Sequence, residues 1–189
     1  AASPVDFFDV KADVAALLRA TGARDEFRFV ATAHPALHPG QSARIVRDGQ
    51  PIGWIGRLHP ELERRLELTY SALVFEIEIE SGLAARVPQH REISRFPAVR
   101  RDLAVIVDEP VGVQSLLDCV RGSAGTLLTD LVVFDVYRGP GMPSGRKSVA
   151  IGLNLQDISR TLTDEETDAV VARVVVDLER EWGATIRDQ

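Results

Sequence analysis

The sequence lacks most of the features that mark a specialised class of protein. It contains one cysteine, Cys119, so no internal disulfide can form, which predicts a reducing compartment such as the cytoplasm. No apolar run approaches the roughly 20 residues that span a bilayer, so no membrane association is expected. Lys and Arg number 22 against 28 Asp and Glu, a balance that argues against tight, unspecific binding to nucleic acid through charge alone.

Two further absences concern the start of the chain and its chemistry. Met142 is the only methionine, and the first residues show no basic segment followed by an apolar one, so we expect a piece of a larger protein without a secretory signal. No Gly-rich phosphate loop, nucleophile–base pair or metal-ligand set is recognisable, so autonomous catalysis is not expected. With 45% hydrophobic residues, the 189-residue chain can still bury one large core or two smaller ones.

Two histidine motifs resemble functional sites but have simpler explanations. His34 and His38 have the i, i+4 spacing of a zinc-binding helix. The prolines within and after this motif prevent a continuous helix, and no cysteine lies nearby, so a structural turn around Pro39 is preferred. His59 is interpreted in the same way, as the end of a strand before a helix that Pro60 begins.

Residues 1–92 are predicted to form an antiparallel arrangement of strands and short helices. The segment Val5–Val10 is predicted as a strand that leads into the first helix. The Asp48-Gly49 pair separates two alternating apolar segments and predicts a tight hairpin. Residues 82–94 are the predicted linker to a second domain.

The most informative stretch is a hairpin of two strands, Leu127–Tyr137 and Lys147–Gln156, around a Gly- and Pro-rich loop. Side chains alternate across a strand, so each strand has two faces. For the first strand, the alternation predicts an apolar face directed to the core, made of Val132, Phe134 and Val136. The opposite face of the hairpin is shallow and polar, and we expect it to carry Asp135, Tyr137, Ser148, Ala150, Gly152 and Asn154.

The pattern of residues 93–189 predicts a complete β-α-β-β-α-β order of strands and helices, in which one strand and one helix precede the hairpin. Thr163 opens a capping box with Glu166, and the helix that follows ends at Gly183 before a short last strand. This order is the ferredoxin-like pattern. Its two helices cover one face of the sheet and leave the other face open.

Several motifs of the second half occur in the order and spacing of a known family. They are RFPAVRRDLA at 95–104, FDVY at 134–137, GRKS at 145–148 and RTLTDEE at 160–166. They resemble the ferredoxin-fold anticodon-binding domain that ends the β subunits of bacterial phenylalanyl-tRNA synthetases. The catalytic-like core domain that precedes it in this family, a relic of the class II synthetase fold without catalytic residues, is similar to the first half at 6–11, 37–40 and 56–60.

The resemblance covers essentially the whole chain and implies an α+β protein. A partial class II synthetase-like antiparallel α/β domain (1–92) would be followed by a ferredoxin-like βαββαβ domain (93–189). The resemblance implies a fragment of a β subunit that recognises the anticodon of tRNA(Phe) and joins the α subunit in an α2β2 heterotetramer. ATP and Mg²⁺ would then be used by the whole enzyme, while the fragment itself would be non-catalytic and need no cofactor.

The resemblance also implies roles for the polar face of the hairpin. Unpaired RNA bases are recognised by stacking on aromatic rings and by hydrogen bonds to their edges. Tyr137 would supply the ring, Asp135 an acceptor for a base amino or imino group, and Ser148 a hydroxyl. The expected phosphate contacts around the loop are Arg138, Arg146 and Lys147.

Two other functions stay open from the residues alone. The ferredoxin-like fold hosts many functions, so a regulatory module that binds a small metabolite is an alternative. A purely structural interface for a missing subunit is another. A separate alternative to the base-contact role is that Asp135 and Tyr137 are simply exposed strand residues.

Overall fold

The computed structural model describes residues 5–22, 26–85, 87 and 92–187. The chain divides into two compact units, Ala1–His90 and Arg91–Gln189. Outside the described residues lie the predicted linker positions Pro88, Gln89, His90 and Arg91. The domain boundary after residue 92 therefore stays a prediction.

The first unit is built on one antiparallel sheet of four strands in the order β1-β2-β3-β4. Its strands are β1 (Phe27–Ala31), β2 (Leu37–Arg47), β3 (Gln50–Leu58) and β4 (Leu73–Ile77). Its helices are α1 (Phe7–Arg19), α2 (Pro60–Arg65) and α3 (Ile79–Gly82). Val14 and Leu18 of α1 are buried with Ile45 and Ile55 of the sheet in one apolar core. The predicted antiparallel arrangement of strands and helices is confirmed.

The start of α1 differs from the expected strand at Val5–Val10, because Asp6 begins a helix instead. The Asp6 carboxylate accepts the amide hydrogens of Phe8 at 2.7 Å and Asp9 at 3.2 Å. The Asp9 carboxylate in turn accepts the Asp6 amide hydrogen at 2.8 Å. This reciprocal capping box satisfies amides that the first helical turn leaves unpaired, so the strand prediction was wrong.

The tight hairpin predicted at Asp48-Gly49 is confirmed between β2 and β3. Asp48 has a φ of 48° and Gly49 a φ of 80°. Positive φ at both central residues is the requirement of a type I′ turn, whose twist matches that of the strands it joins.

The three histidines considered as ligands each act locally on the backbone. Nδ1 accepts the amide hydrogen of the residue two positions later, at 3.2 Å for His34, 3.0 Å for His38 and 3.2 Å for His59. His59 thereby caps α2, which begins at Pro60 as predicted. Within the described residues, no group of His, Cys, Asp and Glu is arranged to hold a metal ion.

The second unit has the predicted βαββαβ order. Its elements are β5 (Val99–Asp108), α4 (Val113–Ala124), β6 (Leu128–Tyr137), β7 (Arg146–Leu155), α5 (Asp164–Trp182) and β8 (Thr185–Ile186), with a 3₁₀ turn at Gly125–Leu127. The strands pair antiparallel in the order β6-β7-β5-β8. This is the sheet of a ferredoxin-like fold, so the fold class is confirmed.

One face of this sheet forms the core with α4 and α5. Val105 of β5 and Ile151 of β7 have no exposed surface, and neither do Leu116 of α4 and Val174 of α5. Burying an aliphatic side chain of this size stabilises the fold by about 1.5–3 kcal/mol. The stability of the unit therefore resides on one side of its sheet.

The predicted capping box at the start of α5 and the predicted glycine at its end are both present. The Thr163 hydroxyl accepts the Glu166 amide hydrogen at 3.3 Å, and the Glu166 carboxylate accepts the Thr163 amide hydrogen at 3.0 Å. Gly183 ends the helix with a φ of 57°, a conformation that a residue with a Cβ adopts at a cost.

Glu166 makes the stability of α5 dependent on pH. Arg160 donates to its carboxylate at 2.6 Å, and this contact together with the Thr163 amide lowers the pKa of Glu166 from 4.5 to about 2. A carboxyl with a depressed folded-state pKa stabilises the fold above its unfolded pKa, and this contribution is lost as the pH falls through the folded value. We expect the melting temperature of Glu166→Gln to fall less than that of the parent between about pH 5 and pH 2. Glu165→Gln, which removes a neighbouring carboxyl, is the control; equal pH dependence of both variants would contradict the role of Glu166.

We expect residues 93–189 to fold without the rest of the chain. The segment contains all four strands, both long helices and the core of the second unit. The measurement is thermal and urea unfolding of the isolated segment, monitored by circular dichroism. A single cooperative transition is the expected result in each case. Gradual, non-cooperative melting would show that the boundary after residue 92 is misplaced.

Candidate nucleic-acid interface

The sheet of the second unit has an open face, opposite α4 and α5. Facing residues on neighbouring strands share a face, so the strand register identifies what this face carries. Its residues are Tyr137, Ser148, Ile106, Asp135, Ala150, Ala104, Val132, Gly152, Asp102, Asp130, Asn154 and Arg100. The six residues predicted for the polar face are among them.

A β-bulge at Phe134 changes which residues of β6 reach the open face. Val133 pairs with Ile151 on the core side, but Asp135 pairs with Ala150 on the open face, so Phe134 is an extra residue between them. Val132 is 40% exposed and Phe134 is 53% exposed. Their predicted place on the core face was wrong, because one inserted residue reverses the alternation along the strand.

Tyr137 is held in a fixed position at the loop end of the open face. Its hydroxyl donates to the carbonyl of Pro140 at 2.9 Å. A Cβ on Gly139 would lie 2.8 Å from this hydroxyl oxygen, so only glycine lets the loop pack this closely on the ring. The ring is therefore oriented before any ligand binds.

A cation already lies on the Tyr137 ring. The guanidinium carbon of Arg187 is 5.3 Å from the ring centroid, a cation–π distance. Arg187 follows β8, and its amide donates to Ala104 at 2.9 Å, so it reaches the ring across the open face. A base that stacks on Tyr137 must share the ring with this guanidinium or displace it.

Asp135 and Ser148 lie beside Tyr137 but differ in accessibility. Asp135 is exposed, and its carboxylate forms no hydrogen bond or ion pair with the described residues. Both of its oxygens are free to accept hydrogen bonds. Ser148 pairs with Tyr137 across β6 and β7 but is only 4% exposed, so its hydroxyl is much less accessible than the Asp135 carboxylate.

The positively charged rim expected around the loop is not present at Lys147. Its side chain is 5% exposed, and Nζ donates to the Glu109 carbonyl at 2.7 Å. A buried ammonium needs such a partner, and here it ties the end of β7 to the turn after β5. The expectation that Lys147 is available to a phosphate is therefore corrected.

Arg146 and Arg138 also have partners within the chain. Nη2 of Arg146 donates to the carbonyls of Ile106 at 3.1 Å and Gly183 at 2.7 Å. Nε of Arg138 donates to the Glu109 carboxylate at 2.7 Å, and its side chain is half exposed. Arg138 is therefore the most accessible of the three predicted phosphate contacts.

Sequence reasoning missed Phe134, Arg100 and Arg187 on the open face. The guanidinium carbon of Arg100 lies 5.6 Å from the Phe134 ring centroid. For Arg100 a signal was present, since Leu103 and Val105 point to the core and alternation sends residues 100 and 102 to the other side. For Phe134 no such signal exists, because alternation assumes a strand without a bulge.

Comparison with known proteins assigns both units. Residues 94–187 match the family model "Ferredoxin-fold anticodon binding domain", and residues 1–79 match "Phenylalanyl tRNA synthetase beta chain CLM domain". The phenylalanine–tRNA ligase beta subunit of Pseudomonas fluorescens is 50% identical over 97% of this chain and 23% of the relative. The beta subunit of Pasteurella multocida is 46% identical over 99% of this chain and 24% of the relative. The chain belongs to the phenylalanyl-tRNA synthetase β-chain family.

The family assignment concerns part of a longer protein. The chain spans about a quarter of the length of the curated relatives it matches. Among the described residues, no helix has the length and apolar character required to cross a membrane. Neither the family models nor these relatives support the alternative of a metabolite-binding module.

The contacts of Arg146 predict a structural effect for its removal. Arg146→Ala leaves the carbonyls of Ile106 and Gly183 without their donor, and hydrogen bonds from a charged group contribute about 1.5–3 kcal/mol. We therefore expect a lower free energy of unfolding by about that amount, measured by urea denaturation. Arg138→Ala, at a more exposed arginine, is the matched control and should change it little. If Arg146→Ala is as stable as the parent, the side chain is free to serve as the phosphate contact that the family resemblance implies.

Proposed function

We propose that this chain is the part of a phenylalanine–tRNA ligase β subunit that binds the anticodon of tRNA(Phe) on its open face. The observation that carries the proposal is the group formed by Tyr137 and Asp135 on a sheet face that the two long helices leave uncovered. An oriented ring and an unpaired carboxylate lie side by side there. These are the two elements by which proteins recognise an unpaired base, a stacking surface and a partner for its polar edge.

Each element has a distinct role in this proposal. Tyr137 stacks on the base, and the Asp135 carboxylate accepts a hydrogen bond from an amino or imino group of its edge. Ala150, Gly152 and Ala104 have small side chains or none, so a base can approach the sheet between Asp135 and β5. Ser148, buried next to Tyr137 on the neighbouring strand, is the third candidate for a base contact.

Arg187 supplies positive charge beside the proposed base-stacking ring of an otherwise acidic chain. Its guanidinium lies on the Tyr137 ring and is available to the phosphate next to the stacked base. Arg138, half exposed at the loop, is the second candidate for a phosphate contact. The proposed interface therefore relies on a few placed cations and not on net charge, which is −6.

The rest of the proposal concerns the whole enzyme. ATP and Mg²⁺ belong to the activity that the α subunit contributes, and this chain acts without catalysis of its own. The first unit is part of the catalytic-like domain and helps to assemble the β subunit with the α subunit in an α2β2 heterotetramer. The proposed location of the enzyme is the cytoplasm, where tRNA is aminoacylated.

The test is a titration of the chain with an anticodon stem-loop of tRNA(Phe) at two salt concentrations, followed by fluorescence anisotropy. A stem-loop of the same stem with a different anticodon is the control. The expected result is tighter binding of the tRNA(Phe) loop, with a preference that persists at the higher salt concentration, because base contacts are screened less than phosphate contacts. Equal binding of both loops, or no binding of either, would overturn the proposed function.

Tyr137→Ala tests the stacking role directly. Loss of one aromatic–base stack costs about 1–3 kcal/mol, so we expect binding of the tRNA(Phe) stem-loop to weaken by roughly 5- to 150-fold. Tyr70→Ala removes a tyrosine that is 86% exposed in the first unit and should leave affinity unchanged. The melting temperature of each variant is measured alongside. Parent-like affinity of Tyr137→Ala would refute stacking on this ring, and a large loss of stability would show that the ring serves the fold.

A further inference from the structure

Phe134 is an exposed aromatic ring that the proposed role of Tyr137 does not use. It is 53% exposed, and no other aromatic among the described residues of the second unit is as accessible. The bulge places it on the open face instead of the core. One exposed phenylalanine is ordinary on a protein surface, so a ligand is inferred only from the groups that surround this ring.

Arg100 and Asp102 lie beside this ring as an oriented pair. The Arg100 guanidinium is 5.6 Å from the Phe134 centroid, and its Nε donates to Asp102 Oδ1 at 2.8 Å. Both charged side chains are about half exposed. The cation is therefore fixed at the ring and still accessible to a ligand.

Gly152 allows this pair to lie close to the sheet. A Cβ at Gly152 would be 3.0 Å from Asp102 Oδ1 and 3.1 Å from Arg100 Nη2, which is tighter than ordinary contact. The Arg100–Asp102 ion pair thus lies against β7 at Gly152, where the strand has no side chain. We call Phe134, Arg100 and Asp102, together with the buried Gly152 beside the ion pair, the Phe134 platform.

The Phe134 platform lies near the Tyr137 ring on the same face. Phe134 and Tyr137 are three positions apart on β6, no more than roughly 10 Å along the strand. Arg187 lies on one ring and Arg100 on the other. The open face therefore carries the same pair of groups twice, an aromatic ring with a guanidinium against it.

We propose that the Phe134 platform is a second base-stacking site, which takes another unpaired base of the RNA loop whose first base stacks on Tyr137. The inference rests on the proposed function and extends it from one base to two. An aromatic face and a guanidinium plane both accept any base by stacking, and the guanidinium also meets the adjoining phosphate. An apolar protein surface is a poorer occupant, because covering the platform would desolvate the Arg100–Asp102 pair without replacing its water contacts.

The test pairs variants of the chain with anticodon stem-loops of tRNA(Phe) that lack a single base at each loop position in turn. Phe134→Ala is expected to weaken binding of the complete loop by roughly 5- to 150-fold. Removing the base that contacts Phe134 should weaken binding to the parent. The same removal should change the affinity of Phe134→Ala little, because the base and the ring make one shared contact that the variant has already lost. Tyr137→Ala should show this non-additivity with a different base.

Two further variants separate stacking from a general effect on the fold. Gly152→Ala keeps the ring but pushes against the Arg100–Asp102 pair, and it should weaken binding of the same base that Phe134 contacts. Phe8→Ala removes a ring of the first unit that is 68% exposed and has Lys11 at 6.0 Å, and it should leave affinity unchanged. Binding is measured well below the melting temperature of every variant.

The outcomes distinguish this inference from the proposed function. If the parent does not prefer the tRNA(Phe) loop, the proposed function fails and the second site fails with it. If Tyr137→Ala weakens binding but Phe134→Ala binds like the parent, only the second site is overturned. If both rings show non-additivity with the same base, there is one base site and the inference is wrong.

Discussion

One-sided packing of the sheet is the constraint on which the second unit depends. Because α4 and α5 bury the same face, residues such as Val149 and Ile151 have no exposed surface and carry the stability. A sheet buried on both faces requires apolar residues at nearly every position, whereas here alternate positions are released from that requirement. Ala150 and Gly152 alternate with these buried residues along β7 and lie on the open face. The same strand therefore supplies the core with one set of side chains and the open face with the other.

Periodicity predicted the elements well wherever strands are regular. On β7 the alternation from Ser148 to Asn154 holds without interruption. Each of these residues has one partner on β5 and one on β6, and the extra residue of the bulge lies on β6. On β6 it failed at Phe134, because a bulge depends on how the partner strand pairs and leaves no mark in a local pattern. At Asp6 the failure was of another kind. An apolar pattern suggested a strand, while the carboxylates of Asp6 and Asp9 already offered the caps of a helix.

Charged residues were the least predictable part of the candidate site. Lys147 and Arg146 stand next to a loop in the sequence, which suggested solvent and phosphate, but a long side chain can bind any carbonyl within its reach. Here they bind carbonyls of Glu109, Ile106 and Gly183 and fasten strand ends and a helix terminus. Such contacts join residues distant in sequence, so no spacing rule reports them.

Arg100 and Arg187 are cations of the open face that lie against aromatic rings, and this arrangement suits the RNA binding that we propose for this acidic protein. An exposed cation–π contact contributes about 0.5–1 kcal/mol, whereas a base stacked on an aromatic ring contributes about 1–3 kcal/mol. In the proposed complex, replacing the guanidinium of Arg187 on the Tyr137 ring with a base is therefore favourable. The displaced guanidinium remains beside the base, where the phosphate of the same nucleotide is its natural partner. In the proposed complex, positive charge is positioned for the ligand without being spread over the surface, so selectivity for a stacked base and attraction to its phosphate would both follow from this one exchange.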